Sequence, residues 1–144
     1  MRQTLAVVTI ILVAGLAYAI WTALGQSVQN TPDTPVAGGE MADVALPDTL
    51  TQNAQIGKRA FEANCASCHG TNAAGREGVA PPLVHKIYEP SHHADESFQR
   101  AVASGVRAHH WPFGDMPAVE GLTRGEVTLI TTYIRELQRA NGIN

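Results

Sequence analysis

The chain has 144 residues, with ten basic and thirteen acidic side chains and a formal net charge of −3. No basic run or stripe is present, so the electrostatic footprint of a nucleic-acid-binding surface is excluded. Only two cysteines occur, too few for the disulfide framework of a small secreted scaffold.

The N-terminus carries the strongest hydropathy signal. Leu5 to Leu24 form an apolar run without a charge, long enough to cross a bilayer as one helix. Arg2 precedes the run and acidic residues follow it, which places the remainder outside the cytoplasm. Trp21 and Tyr18 then fall near the outer interface. Ala17-Tyr18-Ala19 resembles a signal-peptidase site, so a cleaved leader is the alternative. The run continues past that site, which favours an uncleaved anchor over residues 1–25.

Residues 26–50 read as a linker. Pro32, Pro35 and Pro47, with Gly38 and Gly39, deny it a regular helix. Its charges are acidic only (Asp33, Glu40, Asp43 and Asp48), so a disordered, extended tether with an r.m.s. span of about 25–30 Å is expected. Such a tether lets a folded domain swing between neighbours, or merely clears the lipid surface.

The domain is expected over residues 51–144. A first helix is predicted over 52–64, with Ala54, Ile56, Ala60 and Phe61 in apolar spacing. Gly57 costs about 1 kcal/mol against alanine in a helix interior, but its missing side chain permits close approach of another helix. Cys65-Ala66-Ser67-Cys68-His69 follows directly. This C-x-x-C-H pattern is the attachment site of a c-type haem. Cys65 and Cys68 become thioethers to one covalent haem c, and His69 supplies the proximal nitrogen to iron. A dithiol redox site wants a βαβ pattern around the motif, which is absent. A structural zinc site wants four ligands. There is no third cysteine, and only His85, His92, His93, His109 and His110 remain to complete the set.

A further helix is predicted from Asp95 to about Gly105, with Phe98 and Val102 on one side and the acidic pair Asp95 and Glu96 at its start. The last helix is predicted over 123–140. Thr123-Arg124-Gly125-Glu126 has the capping-box form. Val127, Ile130, Ile134 and Leu137 make one apolar stripe, with Tyr133 beside it.

With these elements the sequence resembles the class I cytochromes c. The resemblance covers about residues 52–140 and implies an all-α fold, helices packed around one covalent haem. It implies that the first and last helices cross at Gly57 and Phe61, with Tyr133 as the partner aromatic. It implies that the Pro81 carbonyl accepts the Nδ1–H of His69 and that Leu83 packs against the haem. Met116, in Gly114-Asp115-Met116-Pro117, looks like the axial-ligand segment and is the only methionine after the haem motif. A thioether ligand raises the haem potential.

Other residues compete or assist. His109 and His110 are alternative iron ligands, since imidazole also binds iron. With Trp111 and Arg107 they are candidates to contact a haem propionate. His92-His93 and His109-His110 are also candidates for a copper or zinc site.

The function expected is electron transfer by a single His/Met-ligated haem, without catalytic acid, base or nucleophile. The resemblance implies a location in the periplasm, attached by one span to the bacterial inner membrane. It implies redox-complex partners: a quinol–cytochrome c oxidoreductase on one side, a terminal oxidase or another reductase on the other. Two alternatives stand beside it. One is a permanent cytochrome subunit of a dehydrogenase or oxidase. The other is a haem sensor or small-ligand binder with a labile sixth ligand.

Overall fold

The computed structural model describes residues 15–16, 18–20 and 38–144. Of the expected anchor, Gly15, Leu16 and Tyr18–Ile20 are helical, and the rest of the run lies outside the described residues. Among the described residues, no helix is long and apolar enough to cross a membrane. The chain divides into two units, Met1–Thr34 and Pro35–Asn144, and the second carries the haem motif.

That unit is helical. Its elements are α1 (Gln52–Asn64), α2 (Ala66–His69), α3 (Asp95–Ser104) and α4 (Arg124–Ala140), with 3₁₀ turns at Thr71–Ala73 and Lys86–Tyr88. Among the described residues the only β pairing is three isolated bridges.

Helix α1 begins at Thr51, whose side chain accepts the Ala54 N–H, satisfying one of the orphan donors of a first turn. Its buried residues are Ala54, Gly57 and Phe61, spaced at i, i+3 and i+7. Ile56, expected on the apolar face, is 37% exposed. The glycine takes the place on the stripe that periodicity had given to isoleucine, because the face is shaped by close approach and not by hydrophobicity.

Helix α4 supplies the other wall. Val127, Ile130, Ile134 and Leu137 are buried as expected, with Tyr133 among them. The two helices cross where Gly57 lies: a Cβ there would stand 1.9 Å from the Leu129 carbonyl oxygen. Next to the crossing, the rings of Phe61 and Tyr133 meet at 5.7 Å with a 58° tilt, within the range of favourable aromatic pairs. The core is Ala54, Phe61, Ala73, Val84, Ile130, Tyr133, Ile134 and Leu137.

The N-terminus of α4 is closed by both halves of the capping box between Thr123 and Glu126. The Glu126 carboxylate accepts the Thr123 N–H at 2.8 Å and the Thr123 hydroxyl at 2.7 Å. Those bonds, the backbone one first, hold the Glu126 carboxyl below the usual carboxylate range. Thr123→Ala is expected to cost about 1 kcal/mol in chemical denaturation at neutral pH. Because the folded pKa is depressed, the carboxylate's contribution is present above the ordinary value and is lost as pH falls through the folded one. The gap between the two proteins therefore narrows in acid.

Residues 38–50 correct the expectation of a linker running to 50. Gly38 donates to the Glu77 carbonyl, and Met41 and Ala42 donate to that of Ala74. The Ala45 N–H and C=O are both taken by the Asn141 side chain, each at 2.9 Å. Val44 and Leu50 pack on the core. Backbone pairing needs no apolar periodicity, so it left no signal in a segment rich in proline and glycine. The preceding part of the expected linker, 26–37, lies outside the described residues.

One buried polar network was not anticipated. Arg135, 7% exposed, pairs with Asp95 at 2.9 Å and donates to the Tyr88 carbonyl at 2.7 Å, to Gln138 and to the His93 carbonyl. Its guanidinium also lies 5.1 Å from the Phe98 ring centroid. Gln138 donates to the carbonyls of Leu83 and Tyr88. Together they anchor the loop 83–93 to α4. Arg135→Met is expected to cost about 2–3 kcal/mol, since it leaves the His93 carbonyl without this charged donor. Guanidinium denaturation of the holoprotein checks this.

Candidate functional site

The haem motif is positioned by the end of α1. Cys65 caps that helix, its N–H donating to the Phe61 carbonyl. The chain then re-enters one helical turn, with the N–H groups of Cys68 and His69 both donating to the Cys65 carbonyl at 3.1 and 2.9 Å. In that turn Cys65, Cys68 and His69 stand at i, i+3 and i+4, the spacing that shares one helix face. Neither cysteine is in a disulfide. Burial and the neighbouring Cys68 push the Cys65 thiol up to about 11.

His69 is 9% exposed. Its Nδ1 lies 2.9 Å from the Pro81 carbonyl. A carbonyl only accepts, so Nδ1 carries the proton and Nε2 keeps its lone pair. This second contact fixes ring and tautomer as a metal ligand requires. Desolvation holds the ring below the ordinary histidine value, against the opposing pull of the Pro81 bond. The Pro81 bond fixes the orientation of a ligand, and desolvation favours its neutrality.

The methionine segment is held by backbone. Val106 and Met116 exchange two N–H···O bonds, each 2.9 Å. Gly105 ends α3 at φ +71°, and a Cβ there would lie 2.5 Å from the Met116 carbonyl oxygen. Glycine is therefore needed twice over, for the positive φ and for the close approach. Asp115 accepts the Ala108 N–H at 2.8 Å, closing the loop between.

These segments surround one cavity of about 760 Å³, lined by Cys65, Cys68, His69, Pro81, Leu83, Arg107, Trp111 and Met116, with walls from α1, α3 and α4. These eight were singled out in the sequence, and His92, His93, His109 and His110 line the same cavity. Its size falls within the range of cofactor pockets. One buried polar atom on this wall is orphaned: Trp111 Nε1 has no hydrogen-bond acceptor. The Tyr88 hydroxyl feels the indole N–H without completing a bond to it. A buried unsatisfied donor calls for an acceptor, and a haem propionate is one. Apolar walls, two thiols beside a tautomer-fixed histidine and an orphaned donor fit a covalent haem.

The histidine pairs converge at the rim. The ring of His110 lies 5.4 Å from those of His92 and His93 and 4.2 Å from that of His109. Loss of water in this cluster, then the charges of His109, His93 and His92, hold His110 below the ordinary histidine value. His85 is apart from them, its ring edge-on to Trp111 at 5.3 Å.

Helices crossing at a glycine beside an aromatic pair, over a cavity with a C-x-x-C-H turn, define a class I c-type cytochrome. The family model for cytochrome c matches residues 54–138, and the chain belongs to that family. It carries covalent haem c and serves electron transfer. Among curated proteins it is similar to the Cbb3-type cytochrome c oxidase subunit FixP of Rhizobium meliloti (strain 1021), 32% identical, over 51% of this chain and 32% of that subunit. The FixP subunit of Sinorhizobium medicae (strain WSM419) is 31% identical with the same coverage. The match thus spans about a third of the length of these relatives.

Proposed function

We propose that this chain is a periplasmic electron carrier, tethered to the bacterial inner membrane by its N-terminal apolar run, with the haem iron held between His69 and Met116. The observation that carries this reading is that His69 and Met116, far apart in sequence, line one cavity with both cysteines. When bound, the haem supplies a one-electron couple. The chain's own work is to hold and insulate it. His69 is oriented by Pro81, Met116 is pinned through its backbone by Val106, and the apolar wall excludes water. No residue is required to transfer a proton or bond to a substrate, so the chain acts as a carrier and not as an enzyme. Docking to partners such as a quinol–cytochrome c oxidoreductase and a terminal oxidase or other reductase would use a small, transient interface.

The similarity to FixP, an oxidase subunit by name, favours a second reading: a permanent subunit of a redox complex. Membrane fractionation followed by purification in mild detergent separates the two. The carrier reading expects a haem-stained chain in the membrane fraction that purifies without a stoichiometric partner. A constant partner would support the subunit reading. A soluble chain beginning at Ile20 would refute the tether.

A further inference from the structure

We propose that His92, His93 and His110 form a binding site for one divalent transition-metal ion of the copper or zinc class, at the rim of the haem cavity. One ring nitrogen from each lies within 4.8 Å of the others. Nitrogen ligands on a tetrahedral ion with bonds of 2.0–2.1 Å stand roughly 3.3 Å apart. The nitrogens need to close by up to about 1.5 Å, and the exposed His110 side chain is the one to move, by rotation about χ1 and χ2.

The stronger argument is how two of the rings are held. His92 Nδ1 lies 2.8 Å and His93 Nδ1 2.6 Å from the same acceptor, the Ile87 carbonyl. That oxygen can only accept, so both rings carry hydrogen on Nδ1 and present Nε2 as a free lone pair. A backbone carbonyl bonded to the far nitrogen is the support that metal-ligating histidines usually have. The carbonyl is itself placed by the 3₁₀ turn Lys86–Tyr88, and the loop carrying His93 is anchored by Arg135. The pair is thus preoriented before any ion arrives. His110 comes from the opposite loop. His93 is half-buried while His92 and His110 are exposed.

Three imidazoles and no thiolate or carboxylate select Cu²⁺ or Zn²⁺ over magnesium or calcium, and among divalent ions Cu²⁺ binds tightest. The fourth position is left to water. His109 is not in this set: its ring is 6.3 Å from that of His93, and the group of nitrogens within 4.8 Å of one another does not include it. The site does not depend on the electron-transfer reading.

The test is titration of chelator-stripped, full-length holoprotein with Cu²⁺, followed by electron paramagnetic resonance, and with Zn²⁺, followed by elemental analysis after desalting. One equivalent per chain with nitrogen hyperfine structure is expected. His110→Ala, which removes no hydrogen bond from the fold, is expected to weaken Cu²⁺ binding at least about 100-fold, because losing even a supporting partner costs ten- to a hundredfold. His109→Ala is expected to bind Cu²⁺ as the parent does. Absence of a bound equivalent in the parent overturns the proposal. So does His110→Ala binding Cu²⁺ with the parent's affinity and spectrum, or loss of binding in His109→Ala while His110→Ala retains it.

Discussion

Gly57→Ala is expected to destabilise the holoprotein by roughly 2 kcal/mol or more. The local preference points the other way, since alanine gains about 1 kcal/mol over glycine in a helix interior. Sterics decide the sign. The new Cβ would lie 1.9 Å from the Leu129 oxygen, 2.4 Å from its carbonyl carbon and 3.0 Å from the Ile130 nitrogen. These are backbone atoms of α4 and cannot rotate away. The helices must separate, and overpacking costs about 1–3 kcal/mol and occasionally more; immovable backbone at 1.9 Å puts this case at the upper end. Separation also loosens the Phe61–Tyr133 contact. A net loss of 2 kcal/mol lowers the melting temperature of a domain this size by about 8–16 °C. Asn53→Ala, on the exposed side of α1, is the control and should stay within about 0.5 kcal/mol of the parent. Equal stability of Gly57→Ala and the parent would show that the helices do not cross at this residue.

Met116→Ala carries the largest expected effect on the haem. The backbone pairing of residue 116 with Val106 does not use the side chain, so the loop should keep its course while the thioether is lost. Carbon monoxide, expected to leave the ferrous parent unchanged, should then bind the ferrous variant. The potential should fall by on the order of 0.1–0.2 V, a fraction of the roughly 0.8 V over which axial ligands set haem potentials. Spectroscopy and a redox titration read both changes. If Met116→Ala stays closed to carbon monoxide and His110→Ala opens, imidazole holds the sixth position instead.

Helix ends were legible where chemistry is local. The bounds of α1 and α3 and the Thr123–Glu126 box follow from caps and short-range spacing. The site was legible because C-x-x-C-H compresses three haem contacts into one helical turn. What escaped reading depends on distant partners. Arg135 and Gln138 lie off the predicted apolar stripe, and the carbonyls of the 83–93 loop satisfy them in the interior. The 38–50 segment is fixed through backbone groups that every residue has. Ile56 satisfied helical periodicity but lies off the face that Gly57 defines. The two histidine pairs were visible as pairs. Their meeting depends on loops whose paths no periodicity encodes.

The most direct measurement is an absorption spectrum of the purified holoprotein, ferric and then ferrous under carbon monoxide. A haem held between His69 and Met116 predicts the weak long-wavelength ferric band of sulfur–iron ligation, and a ferrous spectrum that carbon monoxide leaves unchanged. Absence of that band together with ready carbon monoxide binding would contradict the closed site and make ligand sensing or catalysis the leading function.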